Sequence, residues 1–519
     1  MSAHSPRPTA NTPTALTELG EAFSWDWHQP PADHTVSGVS LASQAVAPGD
    51  LFVALPGASR HGGEFVTEVI AAGAQAVLSD PAGIAHMDNV PEDFPIAVHP
   101  DPRAQLGPVS LRVYDPGVRL PDVFSVTGTN GKTSVVFYLD AIARAMEVNS
   151  AFSNTHERRI GQESVKTPLT TPEAPELHAL LALAAERGVA LMALEASAQA
   201  IQRQRLSGIV ARVAGFTNLS HDHLEDYGDM DTYFETKREL FQPGLSEQAV
   251  ISLDTPWGQK MLAGCGVPAV SIGRPEQHPT WSVEIVNAEG GQTTFVLTGP
   301  EGTLTSSIRA AGDHMVRNAA LAMVMLVQGG YSLEALEHAV GRHRGGIDLV
   351  VPGRAEKVSG ESAVSVFVDA GRSPDAYQQT LEALASHAPG AMIVICGTSG
   401  NRDRTKRFAM GEIAATLADY VIVSDDDPRR EDPAQIRADI LAGVASAGHA
   451  EYEEIASQEQ AIARAVHIAK PGDTIVWIGP GSQSYRDVGG VREPFSARAE
   501  ALRALQSAGY LSESVEDSL

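Results

Sequence analysis

A short glycine-rich segment between a predicted strand and a predicted helix is the feature that most constrains the fold of this chain. The segment runs from Gly128 to Ser134 and reads GTNGKTS. It follows the apolar run Val123–Val126, which predicts a buried strand, and it opens an amphipathic helix that ends near Met146. A turn of this kind presents backbone N–H groups at a helix start, where phosphate oxygens are held. The segment therefore predicts an α/β domain with a nucleotide site.

The side chains of this loop suit ATP and a divalent cation. Lys132 can reach the β- and γ-phosphates, and the hydroxyl of Thr133 can bind Mg²⁺. The usual loop has four residues between its first glycine and its Gly-Lys pair, whereas the spacing here is shorter. The loop alone supports nucleotide binding, and it is equally compatible with an ATPase and with a kinase. The predicted nucleotide-binding residues of the loop are Gly128, Thr129, Asn130, Gly131, Lys132, Thr133 and Ser134.

Length, charge and cysteine content limit the class of protein. At 519 residues the chain exceeds one typical domain, and about 150 residues per domain predicts about three. The net charge of −26 disfavours broad binding to nucleic acid or anionic lipid, because both need basic surface. No apolar run approaches the roughly 18 residues of a membrane helix, and two cysteines form no disulfide framework. We expect a cytoplasmic monomer that binds neither nucleic acid nor membrane.

Changes of pattern along the chain predict three α/β domains, at residues 1–118, 119–347 and 348–519. A proline and glycine cluster near residues 116–121 marks the first boundary, and a new β segment near residue 350 marks the second. The first 30 residues or so are rich in Pro, Thr and Ser and are expected to be flexible. In the third domain, helical stretches separate β-branched runs, which predicts a parallel sheet. The runs are Val364–Val368, Met392–Cys396, Tyr420–Ser424 and Thr474–Ile478.

A carboxylate and a lysine follow the phosphate loop at positions that could serve a metal. A second apolar run, Val189–Leu194, ends at Glu195, and a carboxylate at a strand end beside a phosphate loop can hold Mg²⁺. An ordinary surface carboxylate is the alternative. The segment His221–His223 is rich in His and Asp, but its spacing fits no zinc site that we recognise. Lys237 lies on the next helix, and helix spacing alone predicts a solvated lysine.

These segments together resemble the Mur ligase family, in the branch that adds the third residue of the peptidoglycan stem peptide. The matches stand in the family's order over nearly the whole chain. The resemblance implies an α/β protein with a P-loop central domain between an N-terminal UDP-substrate-binding domain and a Rossmann-like, amino-acid-binding C-terminal domain. The matching segments are Pro48–Gly57, Gly128–Ser134, Thr170–Pro172, Phe216–Phe241, Gly353–Arg354, Asp369 with Ser373–Asp375, and Gly400–Arg407.

The resemblance also implies an activity and a set of site residues. A family member would use ATP and Mg²⁺ to join an amino acid to UDP-N-acetylmuramoyl-L-alanyl-D-glutamate through an acyl phosphate. Lys132, Lys237 and His223 would be catalytic, with Lys237 as a carbamate that helps hold a second Mg²⁺. Thr133, Glu195 and His223 would also lie at the metal, and Asn318 and Arg354 would contact ATP. The implied substrate contacts are Ser43, Thr170, Thr171, Ser197, Arg205, Arg402, Asp426, Asp427, Arg429, Gly479 and Gln483.

The chain departs from the family's pattern at several substrate positions. The family's Asp-Ser-Arg near the uridine is here Ala42–Gln44, and its Glu-Val-Ser-Ser-His is Glu195–Gln199. Its Asp-Tyr-Ala-His-Thr-Pro-Asp is Asp369–Asp375, which loses an aromatic ring at Ala370 and a histidine at Arg372. Its Gly-Lys-Gly-His-Glu is Gly479–Gln483. The residues for ATP-dependent ligation are kept, so the departures bear on the acceptor substrate.

The choice of amino acid stays open at this point. Arg402 and Arg429 suit a carboxylate, which favours meso-diaminopimelate. Asp427 stands where the diaminopimelate motif has Asn, and Gln483 stands where a Glu would hold the distal ammonium, so lysine or ornithine is the alternative. Two further functions also remain open. One is a ligase for another carboxylate, such as a folate- or cyanophycin-type polyamide, and the other is a nucleotide-binding homologue without ligase activity.

Overall fold

The structure, a computed structural model, describes residues 6–57, 59–166, 169–222, 224–289, 292–310, 312–386 and 388–511. Within these ranges, three large β-sheets follow one another along the chain, and helices flank each of them. None of the helices among the described residues is both long and apolar enough to cross a membrane. The predicted succession of α/β units is therefore confirmed.

The first sheet is built by the N-terminal part of the chain. Its strands lie in the order β2-β7-β6-β5-β4 across the described residues, with β4 to β7 parallel and β2 antiparallel at the edge. The elements are β1 Thr14–Ala15, α1 Leu16–Ala22, β2 Asp26–Gln29, β3 Thr35–Val36, β4 Gly38–Ser40, β5 Asp50–Ala54, α2 Val66–Ala71, β6 Ala76–Ser79, β7 Ile96–Val98 and α3 Pro102–Val113.

The start of the chain differs from the prediction, because residues 14–29 form two strands and a helix. Leu16 and Leu19 stand three residues apart on α1, so they share one helix face, and both are fully buried. Asp26–Gln29 adds an edge strand to the sheet. The expectation of a flexible segment over the first 30 residues was therefore wrong for this part. The prediction rested on the polar composition of the segment and overlooked the short apolar stripe formed by Leu16 and Leu19.

The central part of the chain forms the largest sheet. The strands lie in the order β11-β10-β9-β12-β8-β13-β14-β15-β16-β17-β18 within the described ranges. The elements are β8 Asp122–Thr127, α4 Lys132–Ala145, β9 Ser150–Ser153, β10 Glu157–Ile160, β11 Glu163–Lys166, α5 Ala174–Glu186, β12 Leu191–Glu195, α6 Ala198–Gln202, β13 Val213–Phe216, α7 Leu224–Tyr227, α8 Met230–Arg238, β14 Ala249–Ser252, α9 Pro256–Ala263, β15 Ala269–Gly273, β16 Trp281–Glu289, β17 Gln292–Gly299, β18 Gly302–Ile308, α10 Asp313–Gln328 and α11 Leu333–Val340.

The strand order of the central sheet determines where a ligand can bind. Strand β8 lies between β12 and β13, and it is parallel to both of them. The loops after these three strands therefore meet at one edge of the sheet, the edge where α/β proteins bind their ligands. The apolar faces of α4 and α10 pack on the sheet and form the main core with it.

The third sheet is parallel except for one edge strand, as predicted. Its described strands lie in the order β19-β20-β24-β21-β22-β23, and β19 is antiparallel to β20. Strands β21 and β24 begin and end at the predicted residues. The elements are β19 Glu356–Lys357, β20 Ser365–Asp369, α12 Pro374–Ala385, β21 Met392–Cys396, α13 Lys406–Leu417, β22 Tyr420–Val423, α14 Pro433–Ala447, β23 Glu451–Glu454, α15 Gln458–Ile468, β24 Thr474–Ile478, β25 Tyr485–Val488, β26 Val491–Pro494 and α16 Ala497–Ser507.

Candidate active site

The glycine-rich loop joins β8 to α4, as the sequence predicted. Gly128 and Gly131 have φ angles of 147° and 88°, which side chains rarely adopt. A Cβ atom on Gly131 would also lie 2.5 Å from Oδ1 of Asn318. The glycine therefore lets α10 approach the loop, and it brings the predicted ATP contact Asn318 to the start of α4.

The side chain of Lys132 folds back over its own loop. Its Nζ donates hydrogen bonds to the carbonyl oxygens of Gly128 at 3.0 Å and Thr129 at 2.9 Å. Burial lowers the pKa of Lys132, although the charge of Glu195 opposes this effect. The ammonium thus lies where a phosphate held by the loop would bind, and only backbone carbonyls of the described residues accept hydrogen bonds from it.

Lys237 meets the same loop from α8. Its Nζ donates to the carbonyl oxygen of Gly128 at 2.9 Å, and it lies 4.3 Å from the centre of the Tyr233 ring. The residue is only 1% exposed, so the solvated lysine predicted from helix spacing was wrong. Burial, and then the positive charge of Lys132, place the pKa of Lys237 well below its usual value. Two lysines thus share one buried region.

Glu195 ends β12 directly beside the loop. Its Oε2 accepts hydrogen bonds from the hydroxyl of Thr133 at 3.0 Å and from both the backbone N–H and the hydroxyl of Thr155, at 3.0 and 3.1 Å. The residue is buried, so the alternative of an ordinary surface carboxylate does not hold. A carboxylate and a hydroxyl oxygen at this distance are suitable neighbours on a hard cation such as Mg²⁺.

The predicted dipeptide contacts lie on the next loops. The hydroxyl of Thr171 donates to the carbonyl oxygen of Glu195 at 2.6 Å, and the N–H of Ser197 donates to that hydroxyl at 3.1 Å. Arg205 donates to the carbonyl oxygen of Thr171 at 3.1 Å, and it forms an ion pair of 2.9 Å with Glu173. A framework of hydrogen bonds therefore fixes these residues beside the carboxylate.

One cavity of about 350 Å³ connects these groups. It is lined by polar residues from the phosphate loop, the strand ends and the third domain. Among them are Lys132, Thr133, Thr170, Glu195, Ser197, Arg205, Lys237, Arg354 and Arg402. The structure therefore brings together residues predicted to serve the phosphate, the metal and the substrate, which lie up to 273 positions apart in the sequence, from Thr129 to Arg402.

A second cavity of about 150 Å³ also borders the loop. The predicted residues Asn130, Gly131, Ser134, Asn318 and Arg354 line it. The sequence reasoning did not find His314, which also lines this cavity from α10. Burial lowers the pKa of His314 to about 4, so its ring is neutral at pH 7. Its position four residues before Asn318, one helix turn away, is the signal that could have revealed it.

Several polar contacts among the described residues join the central and third domains around these cavities. The side-chain amide of Asn130 donates to Asp375 at 2.9 Å, so the phosphate loop touches the start of α12. The same amide also donates to the hydroxyl of Ser373 at 3.4 Å. Further contacts are an ion pair of 3.0 Å between Lys406 and Asp222, a contact of 3.1 Å between His221 and Asp403, and a hydrogen bond of 2.9 Å between Ser482 and His156.

A cluster centred on Arg372 occupies the predicted amino-acid region. Its guanidinium donates from Nε to Asp426 at 3.0 Å and from Nη2 to Asp426 and Asp427 at 3.3 Å each. The Nη2 atom also donates to Oε1 of Gln483 at 2.8 Å. Burial lowers and the two carboxylates raise the pKa of Arg372, with a net increase. Burial and the charge of Asp426 raise the pKa of Asp427. The sequence reasoning had treated Arg372 only as a lost histidine.

Arg429 and Arg402 lie near this cluster, but the electrostatic surroundings of their guanidinium groups differ from those of Arg372. The backbone of Arg429 has a φ of 53°, and hydrogen bonds to Asp487 and from Gly489 hold it against the β25–β26 hairpin. Burial, and then the charge of Arg402, lower the pKa of Arg429. Among the described residues, neither guanidinium forms a hydrogen bond or an ion pair. Gly479, with a φ of 130°, lies against Asp426 at the end of β24.

Two predicted residues do not join this arrangement. Ser43 lies in the N-terminal domain, where it starts a short 3-10 turn and is mostly buried, and it lines neither cavity. His223, predicted at the metal, lies outside the described residues. Groups of three or more His, Cys, Asp or Glu side chains that could hold a metal do not occur in the part of the chain that the structure describes.

Comparison with known proteins agrees with this geometry. The chain matches the Mur ligase family catalytic domain over residues 35–108, the Mur ligase middle domain over 126–326, and the Mur ligase glutamate ligase domain over 353–481. A UDP-N-acetylmuramyl-tripeptide synthetase of Leifsonia xyli subsp. xyli is 42% identical, over 97% of this chain and 98% of the relative. A UDP-N-acetylmuramoyl-L-alanyl-D-glutamate--2,6-diaminopimelate ligase of Streptomyces avermitilis is 37% identical, over 96% and 98%.

A solved structure supports the same assignment. It is that of a UDP-N-acetylmuramoyl-L-alanyl-D-glutamate--2,6-diaminopimelate ligase, which is 28% identical to this chain. The alignment covers 96% of this chain and 100% of the solved chain, with a TM-score of 0.65. The three domain matches, the extent of the relatives and the shared fold lead to one conclusion: the chain belongs to the Mur ligase family.

Proposed function

We propose that this chain uses ATP and Mg²⁺ to join a diamino acid to UDP-N-acetylmuramoyl-L-alanyl-D-glutamate, in the synthesis of the peptidoglycan precursor. Meso-diaminopimelate is the favoured amino acid, and lysine or ornithine is the alternative. One observation carries the proposal: Lys132, Glu195 and Arg402, for which we propose roles at the phosphate, the metal and the amino acid, line a single cavity. The names and full-length extent of the relatives support the choice of substrate.

The reaction needs an activated carboxylate that is protected from water. Bound ATP, with Mg²⁺, would supply the phosphoryl group that turns the substrate carboxylate into an acyl phosphate, which the amino group then attacks with release of phosphate. Lys132 is placed to neutralise charge on the transferred group. The contacts of Asn130 with Asp375 and of Lys406 with Asp222 hold the third domain against the central one. Closure of the third domain over the cavity would keep water from the acyl phosphate.

Thr133 and Glu195 fit the role of Mg²⁺ neighbours. Their oxygen atoms lie 3.0 Å apart, and both side chains are buried beside the phosphate loop. Mg²⁺ usually keeps several waters and takes only one or two carboxylates together with substrate phosphates. A site with one carboxylate and one hydroxyl therefore fits this cation better than a closed cage of protein ligands. Glu195 would bind directly or through water.

We further propose that Lys237 is carbamylated. Burial, and then the charge of Lys132, lower the pKa of Lys237 and so favour the neutral amine, which can attack CO₂ to give a carbamate anion and one proton. The change would replace the repulsion between Lys237 and Lys132 with attraction in a buried region. The carbamate oxygens would then lie beside the phosphate loop, where they would help hold a second Mg²⁺.

Each domain would hold one substrate. Residues 1–118, with Ser43, would bind the UDP part, residues 119–347 ATP, and residues 348–519 the amino acid. Within the central domain, Thr170, Thr171, Ser197 and Arg205 would position the dipeptide. Because ATP and the UDP-linked substrate are cytoplasmic metabolites, we place the reaction in the cytoplasm, carried out by a monomer that needs neither nucleic acid nor membrane.

Product formation tests the proposal. The purified protein is incubated with ATP, Mg²⁺, UDP-N-acetylmuramoyl-L-alanyl-D-glutamate and a panel of meso-diaminopimelate, lysine and ornithine. We expect one phosphate released for each UDP-tripeptide formed, with meso-diaminopimelate preferred. Omission of the nucleotide substrate is the control for idle ATP hydrolysis. ATP hydrolysis without ligation of any amino acid would reject the substrate assignment.

A further inference from the structure

The two acidic side chains of the amino-acid region are already engaged within the protein. Both carboxylate oxygens of Asp426 accept hydrogen bonds from Arg372. One oxygen of Asp427 accepts from Arg372, and the other accepts from the backbone N–H of Asp487 at 3.1 Å. Asp426 and Asp427 are each only 4% exposed. A substrate ammonium would therefore have to displace Arg372 to bind either carboxylate.

The neutral acceptor of this region is also engaged. Oε1 of Gln483 accepts the shortest hydrogen bond that Arg372 makes, at 2.8 Å. Thus Arg372 takes up the side-chain acceptors of Asp427 and Gln483, the two positions at which the sequence left the choice of amino acid open. As placed here, these residues do not offer a vacant acceptor to the side chain of lysine or ornithine.

The cationic groups of the region are free in the described part of the chain. Arg402 lines the cavity of the phosphate loop, and its charge acts on the guanidinium of Arg429. Asp427 and Asp487 also act on Arg429, but burial, followed by the charge of Arg402, keeps its pKa lowered. A pair of guanidinium groups without partners is a site for a carboxylate.

We propose that Arg372 is a positioning residue that sets the amino-acid selectivity of this ligase. By engaging the carboxylates of Asp426 and Asp427 and the amide oxygen of Gln483 in hydrogen bonds, it leaves Arg402 and Arg429 as the recognition groups. The incoming amino acid then carries a carboxylate at its far end, as meso-diaminopimelate does, and a side chain that ends in an ammonium alone is disfavoured. This inference rests on the proposed ligase function.

Selectivity, rather than activity, tests the role of Arg372. With the full-length enzyme, ATP, Mg²⁺ and the dipeptide nucleotide, kcat/KM is measured for meso-diaminopimelate and for L-lysine. We expect Arg372→Gln to lower the ratio of the two values about tenfold or more, because it frees charged acceptors for an ammonium. In Arg372→Lys, which keeps a cation, the ratio should fall less. The exposed neighbour Arg430 provides the matched control, Arg430→Gln, in which the ratio should not change.

A second position makes the test independent of how well Arg372→Gln folds. Asp427→Asn keeps an acceptor for Arg372 but removes one negative charge. If Arg372 already occupies that carboxylate, the variant should keep its preference for meso-diaminopimelate and show no specific loss with lysine. In the double variant Arg372→Gln/Asp427→Asn, the gain with lysine should be smaller than in Arg372→Gln. A selective loss of lysine turnover in Asp427→Asn alone would overturn the inference.

Binding separates this inference from the proposed function. Calorimetric titration of meso-diaminopimelate and of L-lysine is carried out with the dipeptide nucleotide and a non-hydrolysable ATP analogue present. Tighter binding of meso-diaminopimelate by the wild type, with a reduced preference in Arg372→Gln, would support the inference even if no ligation occurs. Equal or tighter binding of lysine by the wild type, binding of neither, or an unchanged preference in a folded Arg372→Gln protein would each overturn it.

Discussion

The phosphate-loop site and the amino-acid site differ in whether their buried charged side chains are paired within the protein. Within the described residues, Lys132 and Lys237 donate only to backbone carbonyl oxygens and form no ion pair. In the third domain, by contrast, Asp426 and Asp427 are paired with Arg372 inside the protein. Buried charge without a counter-ion is costly. The phosphate-loop site is thus built to be completed by its ligands, whereas the acidic part of the amino-acid site is complete before a substrate arrives.

This difference connects with the overall acidity of the chain. A protein with a net charge of −26 does not attract a polyanionic nucleotide through its total field. The attraction must come from local cations whose charge is not neutralised by protein carboxylates. Lys132 meets this condition in the central domain, and Arg402 and Arg429 meet it in the third domain.

Removal of Lys237 should have the largest effect. If its carbamate completes the phosphate-loop site, Lys237→Ala should lower kcat by about a thousandfold, the upper range for loss of one charge-stabilising group. Added formate or acetate should restore part of the activity by replacing the carbamate. Phosphate release and UDP-tripeptide formation are measured together. Lys470→Ala removes an exposed lysine as the control, and full activity of Lys237→Ala would refute the carbamate.

Loss of the negative charge of Glu195 should lower the activity somewhat less than removal of Lys237. Glu195→Gln keeps an oxygen that can accept from Thr133 and Thr155, so the hydrogen bonds survive while the negative charge is lost. We expect kcat/KM to fall about a hundredfold at low Mg²⁺ and to recover partly at high Mg²⁺. A Mg²⁺ titration of the initial rate measures this, with Glu301→Gln in an exposed turn as the control. The same loss at every Mg²⁺ concentration would argue against a metal role.

The sequence was a good guide to the fold where the pattern is local. The strand, loop and helix around Gly128–Ser134 follow from an apolar run, two glycines and an amphipathic stretch, and the structure confirms each. Strands β21 and β24 were also predicted to the residue, because β-branched runs between helices have few other interpretations. Residues 14–29 were missed, since a polar composition outweighed two leucines on one short helix.

The sequence was a weaker guide to contacts between distant residues. Helix spacing predicted an exposed Lys237, but α8 packs on a loop more than 100 positions away and buries the lysine. Arg372 was recognised only as a departure, because its partners stand 54 and 55 positions later and Gln483 stands 111 positions later. A pattern of residue types contains no information about such pairings. The roles of the individual site residues stay predictions until the variants are measured.

Loss of the ion pair between the central and third domains should have an intermediate effect on kcat/KM. Lys406 and Asp222 form an ion pair that is mostly buried, and it joins the third domain to the central one. Lys406→Met should lower kcat/KM about tenfold, because closure loses a partly buried ion pair. Lys406→Arg, which keeps the charge, should lose less. The ratio for meso-diaminopimelate and lysine should stay constant in both variants, since this contact does not touch the Arg372 cluster.

A changed ratio of the kcat/KM values for meso-diaminopimelate and lysine in Lys406→Met would contradict the separation of the two sites. It would show that domain closure, rather than the Arg372 cluster, determines which amino acid is accepted. Steady-state kinetics with both amino acids therefore serve as the measurement and as the control for the selectivity test of Arg372.

The smallest effect is expected at Ser482, which connects the two sites through one hydrogen bond. Its hydroxyl lies 2.9 Å from Nδ1 of His156, and burial lowers the pKa of His156 to about 4, so the ring stays neutral near pH 7. Ser482→Ala removes a neutral hydrogen bond, which contributes about 1 kcal/mol or about fivefold in an equilibrium. We expect KM for the amino acid to rise by that factor while kcat is nearly unchanged. Ser507→Ala, at an exposed helix end, is the control.

The pH dependence of the same variant sharpens this prediction. Because His156 takes up a proton only near pH 4, the Ser482–His156 bond should not weaken between pH 6 and 8. The ratio of KM values for Ser482→Ala and the wild type should therefore be constant over that range. If the ratio instead approached one as the pH fell from 8 to 6, His156 would be gaining charge in that range. The contact between the two sites would then depend on protonation, contrary to the neutral ring that the burial of His156 predicts.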